Sequence, residues 1–93
     1  MPYTVIFMPK AKKYLLKLDG ETYDQIEEHV EKLKENPYMR RPLADIKKLG
    51  GFQSPMMYRM RIGRQRLEYF VDESEKTIYI TKAFPRSGDS DYR

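Results

Sequence analysis

Between Tyr58 and Val71 the chain reads YRMRIGRQRLEYFV, an alternation of apolar and charged residues broken by a single Gly-Arg pair. A period of two marks a strand with one buried face. Gly63-Arg64 then serves as a two-residue hairpin loop, with glycine at the first central position as a type II′ turn requires. The turn sets a register: Arg61 opposite Arg66, Met60 opposite Leu67, Arg59 opposite Glu68 and Tyr58 opposite Tyr69. One face carries Tyr58, Met60, Leu67, Tyr69 and Val71 and reads as core. The other carries Arg59, Arg61, Arg66 and Glu68.

Like charges directly opposite on paired strands cost up to about 1 kcal/mol. Stability alone therefore gives little reason for guanidiniums at both Arg61 and Arg66. Planar, permanently charged forks suit phosphate oxygens. An ordinary solvated face, helped by an Arg59–Glu68 pair, is the other reading, and the hairpin alone leaves both open. The distribution of charge adds weight to the first. From Arg40 to Arg66 eight basic residues (Arg40, Arg41, Lys47, Lys48, Arg59, Arg61, Arg64, Arg66) stand against Asp45, a balance of +7 within a chain of net +4. From Glu21 to Glu35 six acids outweigh two lysines. A two-sided distribution of this kind favours a polyanion on one side. Solubility, or service in a hot environment, is the bland alternative.

Ninety-three residues make one domain, residues 1–93. There is no cysteine and a single histidine, His29, which excludes disulfides, thiolate metal sites, His clusters and Ser–His–Asp or Cys–His catalysis. His29 lies beside an apolar stripe and reads as a packing or surface residue. No run approaches the roughly 18 apolar residues of a membrane span, and no signal peptide is visible, so a cytoplasmic location without membrane contact is expected.

Along the chain, Tyr3–Met8 predicts a strand stopped by Pro9. Pro9 suits the first turn of a helix over Lys10–Leu18, with Ala11, Tyr14, Leu15 and Leu18 at helical spacing. Asp19-Gly20 breaks it. Glu21–Glu35 is the clearest helix: Tyr23, Ile26, Val30 and Leu33 form one stripe, and Asn36-Pro37 ends it. Tyr38–Gly51 reads as a basic connection in which Leu43, Ile46 and Leu49 anchor a short helical turn. After the hairpin, Asp72–Lys76 is a polar turn and Thr77–Ala83 a last strand. Its Ile78 and Ile80 share one face, with Thr77, Tyr79 and Thr81 on the other. The predicted class is α+β, β-α-α-β-β-β, an antiparallel sheet with an N-terminal helical hairpin on one face.

The element order, LKEN-P after the second helix, the KKLGG turn, the hairpin YRMRIGRQRLEYF and the ending ITKAFPRSGDSDYR together resemble the RelE/ParE toxin superfamily, most closely RelE-type mRNA interferases. The likeness spans essentially the whole chain. It implies the toxin half of a type II toxin–antitoxin pair, a ribosome-dependent endoribonuclease that cuts translated mRNA without a metal or other cofactor. Carried over by position, it implies catalytic roles for Arg59, Arg61, Arg66, Arg86 and Tyr92. Arg64, Lys47, Lys48, Arg40 and Arg41 are candidate RNA-phosphate contacts in the same basic stretch. Relatives often carry lysines where this chain has Arg59 and Arg61, and a His-Arg pair where it has Pro85-Arg86. Arginine is a poor acid or base because it holds its proton. Tyr92 is then the best remaining base: adjacent guanidiniums favour phenolate. Implied partners are a RelB-like antitoxin, the ribosome and mRNA, with a toxin–antitoxin heterotetramer allowed. Tyr14, Leu15 and Leu18 are expected to be shared with the antitoxin. A ParE-like DNA gyrase inhibitor and a catalytically inactive RNA-binding relative are the alternatives.

Overall fold

The structure, a computed structural model, describes residues 2–38, 44–50 and 55–86. Its elements run β1 (Thr4–Phe7), α1 (Pro9–Leu15), α2 (Gly20–Leu33), β2 (Ala44–Leu49), β3 (Met57–Ile62), β4 (Gln65–Asp72) and β5 (Thr77–Pro85). The hairpin forms in the expected register, Arg61 on Arg66 through Tyr58 on Tyr69. Gly63 takes φ +57°, whereas Arg64 stays out of the left-handed region, as a type II′ loop requires. The architecture is α+β.

The sheet order is β1-β5-β4-β3-β2. Two features differ from expectation. Ala44–Leu49 is an edge strand, not a helical turn: it pairs antiparallel with β3, Ile46 against Met60 and Lys47 against Arg59. Ile46 and Leu49 are three apart, as on a helical turn, but on this edge strand Ile46 is buried and Leu49 falls on the other face; Leu43 lies outside the described residues. The sheet is also mixed, because β1 lies parallel to β5, Thr4 on Thr77 through Phe7 on Ile80. A parallel neighbour needs a crossover connection, and here that connection is the whole remainder of the chain.

Both helices cover one face. Pro9 occupies the first turn of α1, which ends at Leu15, earlier than periodicity suggests. Asp19 caps α2, accepting from the Thr22 amide at 3.1 Å, so the Asp-Gly pair starts the second helix as well as ending the first. Ala11, Leu15, Ile26, Val30 and Leu33 bury against Ile46, Met60, Ile62, Leu67, Tyr69, Ile78 and Ile80. His29 is buried on α2 as well. Leu15 therefore belongs to the core, Tyr14 and Leu18 pack against it, and none of the three is a free apolar surface. The Tyr14 hydroxyl donates to Gln65 Oε1 at 2.6 Å and ties α1 to the start of β4. On α1 and its flanks it is Leu16, at 69% exposure, and Met8 that face solvent.

Candidate nucleic-acid interface

The face of the sheet opposite the helices is ordered in rows, because directly paired residues share a face. One row crosses all five strands: Ile6, Tyr79, Phe70, Met57 and Leu49. It is apolar yet half-buried, with Ile6 43% exposed and the Phe70 and Tyr79 rings stacked at 5.0 Å. The next row is Lys82, Glu68, Arg59 and Lys47, and the one beyond it Phe84, Arg66, Arg61 and Asp45. Acidic α2 lies on the other side of the sheet. Acidic α2 and the hairpin arginines Arg59, Arg61 and Arg66 thus lie on opposite faces of the sheet, the arginines on the face that no described helix covers.

The guanidiniums in these rows are not equivalent. Arg61 is exposed. Arg66 is only 4% exposed, and its Nη1 donates to the carbonyls of Gly63 at 3.1 Å and Gln65 at 3.0 Å. That fastens the hairpin loop and offsets the Arg61–Arg66 repulsion by spending part of the Arg66 donor set on backbone. Arg59 pairs with Glu68 at 2.9 Å, their side chains 22% and 15% exposed, and its guanidinium lies 5.6 Å from the Phe84 ring centroid. Arg86 follows β5, and its amide donates to the Arg64 carbonyl at 2.6 Å, which sets both residues at the hairpin tip. The structure thus gathers Arg59, Arg61 and Arg66 on one face and Arg64 and Arg86 at its end.

Lys47 stands on the same face, opposite Arg59, whereas Lys48 pairs with Tyr58 and points the other way. Lys48 therefore leaves the basic set: a strand's alternation cannot put two consecutive residues on one face. Arg40, Arg41 and Tyr92 lie outside the described residues.

Two further cations were missed. Between β4 and β5 the pairing jumps from Glu68–Lys82 to Tyr69–Ile80, leaving Thr81 as the extra residue of a β-bulge. The Thr81 hydroxyl donates to the Glu68 carbonyl at 3.3 Å. Strict alternation from Ile78 and Ile80 would point Lys82 and Phe84 into the core. The bulge inverts the alternation, so Ala83 faces inward and Lys82 and Phe84 face the arginines. A lysine at a position that alternation would bury was the available sequence signal. Lys10, from the first turn of α1, reaches the same place past the end of the short strand β1. Lys10, Arg59, Glu68, Lys82, Ala83 and Phe84 line a cleft of about 450 Å³.

A family model described as the ParE toxin of the parDE type II toxin–antitoxin system matches residues 5–89. The chain belongs to the RelE/ParE toxin family. It is a RelE-like toxin of type II toxin–antitoxin systems. RelE1 of Methanocaldococcus jannaschii is 34% identical over 88 residues, covering 95% of this chain and 94% of the relative. The RelE–RelB complex of Pyrococcus horikoshii superposes with a TM-score of 0.81 at 31% identity, over 95% of this chain and 99% of that one. The toxin–antitoxin complex RelBE2 of Mycobacterium tuberculosis gives 0.71 at 26% identity, over 92% and 100%. No helix among the described residues is long and apolar enough to cross a membrane.

Proposed function

We propose that this RelE-like toxin is a ribosome-dependent endoribonuclease that cleaves translated mRNA by attack of the neighbouring 2′-hydroxyl. In that reaction the 2′ oxygen forms a bond to phosphorus as the bond to the 5′ oxygen breaks. A base removes the 2′ proton, and the leaving oxygen takes one up. The observation that carries the reading is the clustering of Arg59, Arg61 and Arg66 on the helix-free face, with Arg86 at its end. Preorganised donors aimed at the scissile phosphate stabilise the charge that develops there. Arg61, exposed on that face, is best placed among the three for that role. Arg59 acts through its pair with Glu68, and Arg66 both holds the hairpin and adds charge. Guanidiniums do not exchange protons near neutrality, so the proton falls to another group, for which Tyr92 is our candidate. Sparse chemistry of this kind needs external alignment of the RNA, and a ribosome supplies it.

The same face suits the antitoxin. The apolar row from Ile6 to Leu49 offers burial to a protein segment, and the cationic rows beside it favour an acidic one. Such a segment would cover the arginines and silence the toxin. The RelE relatives in the Pyrococcus and Mycobacterium structures are each in complex with an antitoxin.

Primer extension on translated mRNA, together with plasmid supercoiling, tests the function. Codon-phased cuts with normal supercoiling are expected. Supercoiling defects without cuts would favour gyrase inhibition, the reading closest to the ParE description of the family model. Neither effect would leave an inactive RNA-binding relative.

A further inference from the structure

The cleft beside the arginines has features that the cleavage reading does not use. Among the described residues its walls carry three cations, Lys10, Arg59 and Lys82, against the single acid Glu68. Glu68 is already neutralised by Arg59 at 2.9 Å. Neither the Lys10 nor the Lys82 ammonium has a partner among the described residues, so the cleft holds two unspent positive charges. Lys82 is there only because of the bulge at Thr81. Bulges re-aim side chains, often next to functional sites. A bulge that removes a lysine from the core-facing parity and turns it towards an arginine pair has a simple purpose if the cleft receives an anion. Phe84, re-aimed by the same bulge, forms an apolar wall beside it.

Location narrows the anion. Lys82 and Phe84 are two residues apart on β5, about 7 Å along a strand. Lys82 sits in the row of Arg59, and Phe84 in the row of Arg61 and Arg66. From Arg61 on β3 to Lys82 on β5 is two strand spacings and one row, roughly 12 Å between backbones. A strand with a phosphate at Arg61 therefore reaches the cleft one or two nucleotides along. The mixture of ammoniums with an aromatic wall matches a nucleotide better than a bare ion, since single-stranded nucleic acid is held by charge along its backbone and by ring contacts with its bases.

We propose that this cleft is a second phosphate subsite, in which Lys82 and Lys10 bind a phosphodiester of single-stranded RNA one or two nucleotides from the one at Arg61. The RNA ligand rests on the nuclease reading above; the anion site itself does not. Lys82 and Lys10 are positioning residues, which hold the strand in register and take no part in proton transfer.

The test is fluorescence anisotropy of a labelled ten-nucleotide single-stranded RNA, measured across a salt series with the full chain. Each phosphate contact on a single strand contributes about 0.7 to the slope of log affinity against log salt. Lys82→Ala is expected to lower the slope by about that amount and to weaken binding by about fivefold at moderate salt. Lys10→Ala should weaken it about threefold, and Lys82→Arg should keep the wild-type slope. Lys17→Ala, at an exposed lysine in the turn between α1 and α2 and outside the cleft, serves as the reference. A Lys82→Ala slope equal to that reference, or no RNA binding by the wild type, overturns the subsite. Unchanged RNA binding with weakened binding to a poly-glutamate peptide also overturns it, and assigns the cleft to an acidic protein segment. Cleavage of translated mRNA, scored separately, keeps the two readings apart. Cuts with an unchanged slope sink the subsite alone; a lowered slope without cuts sinks the nuclease alone.

Discussion

The two ends of β4 treat polar groups in opposite ways. At the end near the β4–β5 turn, Glu73 accepts from the Tyr3 hydroxyl at 2.9 Å, from Lys76 Nζ at 3.0 Å and from the Tyr38 hydroxyl. Lys76 also lies 5.0 Å from the centroid of the Tyr3 ring. Tyr38 and Tyr58 meet at 5.4 Å, Tyr58 and Tyr69 stack at 5.6 Å, and the buried Tyr69 hydroxyl donates to the Pro37 carbonyl at 2.6 Å. Donors and acceptors are matched, and the segment after α2 is pinned to the sheet. At the hairpin end, Arg61, Arg64 and Arg86 are exposed, Glu68 is engaged by Arg59, and Lys10 and Lys82 line the cleft beside that pair. The first arrangement serves stability. The second gathers more cations than acids on one face, a surplus of positive charge suited to an arriving anion.

That contrast is broken most directly at Arg61. Arg61→Ala should reduce mRNA cleavage by a hundredfold or more, on the order of the loss when one preorganised donor is removed. It should leave the melting temperature within a few degrees, and growth-arrest assays with thermal denaturation check both. A large fall in melting temperature would show the hairpin end to be structural after all. Arg66→Ala should differ, losing activity and some stability together, because its guanidinium fastens the loop carbonyls.

At the other end Tyr69→Phe removes one buried donor and leaves the Pro37 carbonyl without it. A cost of about 1–2 kcal/mol in denaturant unfolding is expected, with cleavage unchanged. A loss of cleavage at normal stability would mean that the two ends are coupled.

The smallest effect sharpens the comparison through pH. Hydrogen bonds from Tyr38 first, then Lys76 and Tyr3, hold the Glu73 carboxyl down to about 2, against an ordinary value of 4.5. A depressed folded-state value means that the unfolded chain binds the proton first as pH falls. The contribution of Glu73 is therefore complete above about pH 4.5 and is lost as pH drops towards 2. Wild type should lose thermal stability over that window more steeply than Glu73→Gln. Parallel curves would show that the tyrosine cluster does not depend on the charge.

Much of this was legible in the residues. Alternation and Gly63 were enough for the hairpin, its register and the common face of Arg59, Arg61 and Arg66, because strand parity and turn chemistry are local. The stripe Ile26, Val30 and Leu33 likewise revealed which side of α2 is buried. Lys48 was misplaced because its segment read as a connection; once Ala44–Leu49 is a strand, Lys47 and Lys48 must part. The burial of Arg66 could not be read, since nothing local distinguishes a guanidinium turned onto its own loop from one turned to water.

Local pattern was thus enough for the elements that repeat within a dozen residues, and for the separation of an acidic helix from a basic hairpin. Long-range pairing alone sets β1 parallel to β5, places β2 at the far edge, and through the bulge at Thr81 brings Lys82 to face the Arg59–Glu68 pair. Those outcomes depend on which distant strand each backbone meets. Pairing energy between strands far apart in the chain leaves no periodic trace in either one.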